Sequence, residues 1–279
     1  MKIILDSNNI AYRAKFVNGA LDDGVSFGFM MQILSFSKVL NSSDFIFCWD
    51  SRKSYRTLLR PEYKANRRQD LTEEEKKENA DAFRQFTELR TSILPNLGFK
   101  NIFMKTGLEA DDLIAYIVKT FPDEYIVVSS DQDLYQLFDY SKIYNPATKK
   151  ILDKDWFIEK YGIESEEWVN VKALVGCSTD NVGGLVGIGE KTAIRYLNGE
   201  LVKGKKLETI NNSTELVEEN LKVVQLPLTD DIDITLQPDE LFELDFIDEF
   251  SDMGFGSFLS EKKMNTWVQR FNLQPGRPV

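Results

Sequence analysis

Three short apolar runs in this chain end on acidic residues. They are Lys2–Asp6, Phe45–Asp50 and Tyr125–Ser130, the last followed at once by Asp131 and Asp133. Runs of this length between polar breaks read as buried strands. Longer stretches lie between them at Val25–Leu40, Glu73–Leu94 and Glu109–Thr120, and their length predicts helices. Strand and helix in alternation predict an α/β fold with a mostly parallel sheet and its acids along one edge. Ser7, Asn8 and Asn9 suit a turn or an N-cap after the first strand. In Glu73–Leu94 the residues Phe83, Phe86, Leu89 and Ile93 are spaced as a core stripe, and Pro95 is expected to stop the helix. Its start, Glu73–Glu78, reads as a solvated face. Short strands are expected at Asn101–Lys105, Lys142–Asn145 and Lys150–Leu152, and a turn of helix at Asp133–Phe138.

From Asp153 the pattern becomes helical and local, with helices predicted at Trp156–Tyr161, Glu166–Val175, Glu190–Leu197 and Ser213–Val224. The glycine-rich stretch Gly176–Gly189 sits in their midst. Helices joined by a glycine hairpin expose backbone amides at a helix N-terminus, which suits one phosphate. Leu226–Val279 carries eleven acids between Asp230 and Glu261, yet also Leu, Phe and Trp267. It is expected to pack back on the first domain. No internal repeat and no low-complexity linker is visible.

Composition narrows the chemistry. A chain of 279 residues with 42% hydrophobic content predicts one large domain, or one domain with a small module. No apolar run is long enough to span a membrane, and the N-terminus enters a strand without a signal-peptide layout. Cys48 and Cys177 both lie in apolar sequence, so a disulfide framework is not expected and a reducing cytoplasm is the expected compartment. There is no histidine, which excludes Ser-His-Asp catalysis, Cys-His catalysis and histidine-ligated zinc. Carboxylate-bound metals or acid pairs are left for hydrolysis.

A net charge of −11 argues against nucleic acid, but its distribution reverses that reading. In residues 51–68, Arg52, Lys53, Arg56, Arg60, Lys64, Arg67 and Arg68 face Glu62 alone, a local charge of +6. Tyr55 and Tyr63 are interleaved. Clustered Lys and Arg make phosphate contacts. Lys64 and Arg67, three apart, share a helix face if the segment is helical.

The acids form a joint pattern. Asp131 and Asp133 can share a face at a strand end. Glu109 and Asp111 can converge across a helix start. Asp112 alone reads as a cap, and Asp6 or Asp50 alone as a turn residue. Together near strand ends they repel one another unless cations bind. Oxygen donors without His select Mg²⁺ or Mn²⁺. Two such ions about 4 Å apart serve in-line phosphoryl displacement.

With these motifs assembled, the chain resembles the 5′-nuclease family of flap endonucleases, phage 5′–3′ exonucleases and the 5′-nuclease domain of bacterial DNA polymerase I. The matching stretches run in order. They are Leu5–Asn9 with Arg13, Trp49-Asp50, Arg56, Arg60–Arg67, Gly107–Asp112, Ser129–Asp133 and Gly176–Ala193. Without a polymerase domain, the chain looks most like a stand-alone, phage-type member. The resemblance implies a PIN-like domain over 1–153 with 226–279, a helical arch over about 52–80, and a helix–hairpin–helix-type module over 154–225. It implies that Asp6, Asp50, Glu109 and Asp111 hold a first metal. Asp131, Asp133 and Asp180 would hold a second, with Asp112 an outer contributor. Lys64 and Arg67 would contact the scissile phosphate and stabilise the transition state. Arg13, Arg56, Arg60, Tyr63 and Arg68, with Gly187, Ile188, Gly189, Glu190, Lys191 and Thr192, would contact DNA. Potassium would be bound by the carbonyls of Leu174, Val175, Gly183, Leu185 and Ile188. The implied partner is DNA with a 5′ flap, overhang or junction, or an RNA–DNA hybrid, met by a monomer in the cytoplasm (a host cytoplasm for a phage-encoded chain).

One departure stands out. The family pattern is Gly-Asp-x-Ser-Asp-Asn, and this chain has Gly176-Cys-Ser-Thr-Asp-Asn181. Cys177 replaces a second-site aspartate, and a neutral thiol is a poor Mg²⁺ ligand. Gly183 and Val186 stand where the family's hairpin usually has prolines. Three functions follow as expectations. The first is a metal-dependent 5′ nuclease. A catalytically weak flap- or junction-binding protein is the second, and a PIN-like RNA endonuclease the third.

Overall fold

The computed structural model describes residues 1–18, 23–68 and 71–276. β1 (Lys2–Asp6) leads directly into α1 (Ser7–Asn18), and α2 (Gly24–Val39) and β2 (Phe45–Cys48) follow. After α3 (Arg56–Leu59) and a 3₁₀ turn at Ala65–Arg68 come α4 (Glu73–Glu88), a π-helical turn at Leu89–Ile93, α5 (Leu94–Asn96) and β3 (Ile102–Phe103). The alternation continues through α6 (Ala110–Thr120), β4 (Tyr125–Val128), a 3₁₀ helix at Asp133–Leu137, β5 (Lys142–Asn145) and β6 (Lys150–Leu152). Next are α7 (Lys154–Tyr161), α8 (Trp168–Val175), the small hairpin of β7 (Gly176–Cys177) and β8 (Val182–Gly183), and α9 (Glu190–Leu197). Then come α10 (Lys205–Asn211), which the sequence pattern did not signal, α11 (Thr214–Val224), α12 (Glu243–Asp252) and α13 (Glu261–Phe271). The α/β class is as expected. Among the described residues no helix is long and apolar enough to cross a membrane.

The chain forms two compact units. One comprises Met1–Trp49, Leu71–Phe103 and Asp233–Val279, and the other Asp50–Asp70 and Met104–Ile232. In the first, β1, β2 and β3 pair in parallel, with Ile3 opposite Phe45, Asp6 opposite Cys48 and Phe47 opposite Ile102. Both faces of β1 and β2 are covered, which is why these strands read as unbroken apolar runs. Asp6 caps α1 through its Oδ1, which accepts the Asn9 N–H at 3.1 Å, so the helix starts at once rather than after a turn. Gln85 of α4 is fully buried and accepts the Ser26 N–H of α2 at 3.0 Å. The polar start of α4 is a capping box, Thr72 with Glu75, rather than merely a solvated face.

Two expectations for this helix change. Phe83 is 48% exposed, set edge-on to Tyr12 beside the stripe, while Phe86, Leu89 and Ile93 are buried. Pro95 does not end the helix at Leu94. The π turn widens the ladder just before it, and Pro95 occupies the first turn of α5, where its missing N–H does no harm. The chain breaks instead at Gly98, φ +93°, where a Cβ would lie 1.8 Å from the Glu240 carbonyl oxygen. As expected, the C-terminal stretch is folded rather than loose. Phe246, Phe250, Phe258 and Trp267 are fully buried, each contributing roughly 1.5–3 kcal/mol, and Phe271 stacks on Phe45 at 5.8 Å.

In the second unit β4 pairs with β5 in parallel and β5 with β6 antiparallel. The module expected at 154–225 falls wholly within this unit. An aromatic cluster of Tyr135, Phe157, Tyr161 and Trp168 joins the 3₁₀ helix to α7 and α8. The β7–β8 hairpin is tight: a Cβ on Gly184 would lie 1.8 Å from the Val175 carbonyl oxygen. Asn220 of α11 is fully buried and donates to the carbonyls of Ala173 and Gly183 at 2.8 and 2.9 Å.

Candidate metal and phosphate site

Asp50 opens the second unit just past β2. Its Oδ1 accepts the N–H of Ala110, the first residue of α6, at 2.8 Å. Burial raises its pKa; Lys64 opposes the shift and Glu109 adds to it. Glu109 precedes α6, and its own N–H donates to Asp112 at 3.0 Å. That reverse cap leaves the Glu109 carboxylate facing Tyr63 and Lys64. Its Oε2 accepts from Tyr63 Oη at 3.0 Å and Lys64 Nζ at 2.7 Å. Asp111 is half-buried in the first turn of α6.

Asp112 is the cap that its position alone suggests, accepting the Glu109 N–H, and it is also held from the side by a buried cation. Asp112 is fully buried, and Arg56 grips it with two bonds, at 2.6 and 2.8 Å, while the Leu228 N–H donates at 2.8 Å. Arg56 also donates to the carbonyls of Val223 and Gln225. Burial opposes the Arg56 charge, but Asp112 more than offsets it and the guanidinium pKa rises. Asp112 and Arg56 are therefore taken up by the fold, as a bidentate clamp, and not presented to a metal or to DNA.

Lys64 and Arg67 do not share a helix face. Lys64 has a left-handed backbone, φ +55°, and its N–H donates to the Asp180 carbonyl at 2.8 Å. The two cations still converge. Lys64 Nζ lies 3.7 Å from Asp180, and Arg67 reaches the other Asp180 oxygen at 2.5 Å. Burial opposes the charge on both, yet the acids, Glu109 for Lys64 and Asp180 for Arg67, hold both pKa values above their ordinary positions. Tyr63, expected among the DNA contacts, is buried, its hydroxyl 3.0 Å from Glu109 and 3.1 Å from Asp180. Burial and then these two acids push its pKa far up, so it remains a donor. Arg60 is largely buried against Asn220 at 2.7 Å. The Arg68 side chain lies outside the described residues. Asp6 and Arg13 belong to the first unit, Asp6 as the cap of α1 and Arg13 half-buried on that helix.

A second group of acids follows β4. Asp131 Oδ1 accepts the Asp133 N–H at 2.8 Å. Burial raises the Asp131 pKa, Asp133 adds to it, and Lys172 opposes it. Asp133, Cys177 and Asp180 each offer one donor atom, and these atoms lie within 4.8 Å of one another. Cys177 is half-buried, packed against the apolar cluster of Ala173, Val182, Val223 and Val224 as its sequence surroundings suggest, while its sulfur also lies near these polar groups. Lys172 of α8 pairs with Asp133 at 2.5 Å. The one sequence signal of Lys172 is that it is a lone cation in the apolar run Trp168–Val175.

Asp50, Glu109 and Asp111 carry oxygen donors of the kind a hard divalent ion takes, but among the described residues they do not gather as a donor group, as Asp133, Cys177 and Asp180 do. The set Asp133, Cys177 and Asp180 does not fit an all-oxygen Mg²⁺ site, because one donor is sulfur. In the hairpin, Gly187, Gly189, Glu190 and Lys191 are exposed, Thr192 is half-buried, and Ile188 is buried with its N–H on the Leu185 carbonyl. Of the carbonyls expected for potassium, Leu174 accepts from Leu185 N–H, Gly183 from Asn220, and Leu185 from Ile188 N–H.

The sequence profile of the 5′-3′ exonuclease N-terminal, resolvase-like domain matches residues 1–162. The chain belongs to the 5′–3′ exonuclease family. This exonuclease-family chain is 30% identical over 230 residues to a 5′-3′ exonuclease of Buchnera aphidicola, covering 77% of this chain and 75% of that one. A 5′-3′ exonuclease of Bacillus subtilis is 30% identical over 232 residues, 76% of this chain and 72% of its own. DNA polymerase I of Mycobacterium leprae is 28% identical across 85% of this chain, which spans 29% of the polymerase. Among solved structures, T5 5′-exonuclease with zinc bound has a TM-score of 0.70 at 23% identity, over 98% of each chain. Flap endonuclease-1 of Methanococcus jannaschii has 0.58 at 17%, over 97% of this chain and 92% of that one. These two establish the exonuclease fold.

Proposed function

We propose that this chain is a divalent-metal-dependent 5′ nuclease that hydrolyses phosphodiesters in DNA at 5′ flaps, overhangs or junctions. The observation that carries the reading is the convergence of Lys64 and Arg67 on Glu109 and Asp180 beside Asp50, cations and acids together. Family membership favours the enzyme over the weak binder, and solved relatives of the same fold include the catalytic core of Rad2 in complex with DNA substrate. Asp50, Glu109 and Asp111 are the ligands assigned to a hard Mg²⁺ or Mn²⁺ ion. That ion supplies Lewis-acid polarisation of the phosphodiester and a more acidic water.

The chain's own residues do the rest. Lys64 and Arg67 exchange a carboxylate for a phosphate oxygen and stay charged in doing so, because their pKa values are held up. Tyr63 keeps its proton and spans Glu109 and Asp180, holding the acids in register as the cations leave. Gly187, Gly189 and Lys191, exposed where α9 begins, are assigned to the duplex backbone. Potassium at the hairpin carbonyls and acceptance of RNA primers belong to the same reading.

The test is a titration of Mg²⁺ and Mn²⁺ on an end-labelled 5′-flap duplex with product sizing. The expected result is metal-dependent cleavage at or near the junction. No cleavage with any divalent ion overturns the reading, and cleavage of single-stranded RNA without junction preference moves it to the RNA endonuclease.

A further inference from the structure

The second acid group differs from an all-oxygen site at one atom, and the fold holds that atom in place. Cys177 is paired with Val182 in the β7–β8 hairpin, and Gly176 beside it is paired with Gly183. Gly176 has φ +76°, and a Cβ on it would lie 2.4 Å from the Gly184 nitrogen. The hairpin therefore cannot slip or loosen without losing that close approach. Asp133 is fixed from its own side by its N–H on Asp131, and Asp180 by Arg67 and by Lys64 N–H on its carbonyl. Two separately anchored segments, the turn at Asp133 and the hairpin that carries Cys177 and Asp180, thus bring two carboxylates and a thiol within 4.8 Å of one another. The Cys177 sulfur lies 3.0 Å from Thr179 Oγ1, a weak contact that a metal–sulfur bond would replace.

Donor chemistry decides what such a set holds. Mg²⁺ takes hard oxygen and keeps its water, and sulfur offers it little. Zinc-class ions take sulfur together with carboxylate and accept low coordination numbers. We propose that Asp133, Cys177 and Asp180 form a mixed carboxylate–thiolate site for a borderline divalent cation of the zinc class, different in selectivity from the oxygen donors around Glu109. The thiol proton passes to solvent as the metal–sulfur bond forms. Lys172, now on Asp133, and Arg67, now on Asp180, are the charges the ion displaces. The proposal rests on the nuclease reading above and names the ion class of one of its sites.

The probe is Cd²⁺, with Co²⁺ alongside, titrated into the metal-stripped full chain. The expected result is a sulfur-to-metal charge-transfer band in the near ultraviolet that saturates at one equivalent. Cys177→Ser abolishes the band and weakens Zn²⁺, measured by competition with a chromophoric chelator, by about tenfold or more. Cys177→Asp also lacks the band and gains affinity for Mg²⁺. The second cysteine, Cys48, is fully buried in β2, so a band that survives Cys177→Ser overturns the assignment. Calorimetric binding of Cd²⁺ without a band overturns it too. Flap cleavage with Mg²⁺ alone is followed in parallel. Cleavage without a band leaves the nuclease reading and removes this site, while a band without cleavage in any metal keeps the site and removes the nuclease reading.

Discussion

Two groups of acids in the second unit share a helix-start or strand-end origin and differ in what answers their charge. Around α6, the Asp112 charge is met by a rigid, bidentate Arg56 and by backbone N–H groups. After β4, burial and then the neighbouring Asp133 raise the cost of ionising Asp131, and the nearby cation is the flexible amine of Lys172. A planar guanidinium buried against a carboxylate is architecture, because neither partner can leave without exposing the other. An amine on a half-buried carboxylate is a counter-charge that another cation can replace. Buried acids within a few residues of one another can thus belong to the fold or to the chemistry, and the partner, not the acid, tells which.

The largest expected effect tests the architectural half. Arg56→Met leaves Asp112 buried and uncompensated and should cost about 3–5 kcal/mol in denaturant unfolding. A loss within about 1 kcal/mol would move the pair out of the fold. Next, Lys64→Ala should lower turnover on a 5′-flap duplex about a hundredfold while DNA affinity changes little. Equal loss in both would make Lys64 part of a general basic surface. Third, Lys172→Met should destabilise by about 1.5 kcal/mol, and adding Zn²⁺ should recover that loss as a narrowing of its gap to the wild type at the same zinc concentration, whereas the Arg56→Met gap should not narrow. Recovery in neither or in both would erase the distinction between the groups.

The smallest effect comes from an acid with neither duty. Burial pushes Asp239 of the first unit up to about 6, with Asp44 adding and Lys2 and Lys100 opposing. A carboxyl that holds its proton more tightly folded than unfolded adds stability at low pH. That stability is complete below the ordinary value of 3.8 and is lost as pH rises through about 6. Asp239→Asn should therefore stabilise the chain at pH 7 by on the order of 1 kcal/mol, with the gain shrinking toward pH 4, in thermal melts across that range.

Elements were legible where one periodicity ruled. The buried strands Lys2–Asp6 and Phe45–Cys48 and the helix Glu190–Leu197 carry their pattern in the local sequence. Phe83 has the spacing of a core residue, but spacing does not say how far around the helix its neighbours reach. The cations and acids of the site were legible as types, since a +6 segment in an acidic chain is anomalous by itself. Their roles were less so. Arg56 and Asp112 are 56 residues apart, and nothing near either marks the clamp. Asn220 reads as an ordinary helical Asn, yet it is fully buried and ties Ala173, Gly183 and Arg60 together. The three-residue spacing of Lys64 and Arg67 brings them together on a helix only if the segment is helical, and their convergence comes instead through a left-handed residue and a 3₁₀ turn.

That left-handed residue also sets a timescale. The Lys64 backbone is held by its N–H on the Asp180 carbonyl whether or not its amine rests on Glu109. Passing the amine from carboxylate to phosphate then needs rotation about side-chain bonds, a matter of picoseconds to nanoseconds, and no loop rearrangement in the microsecond range. The positive charge is delivered by a side-chain rotation and not by a loop movement, so added viscogen should leave that step untouched and slow only the arrival and departure of DNA.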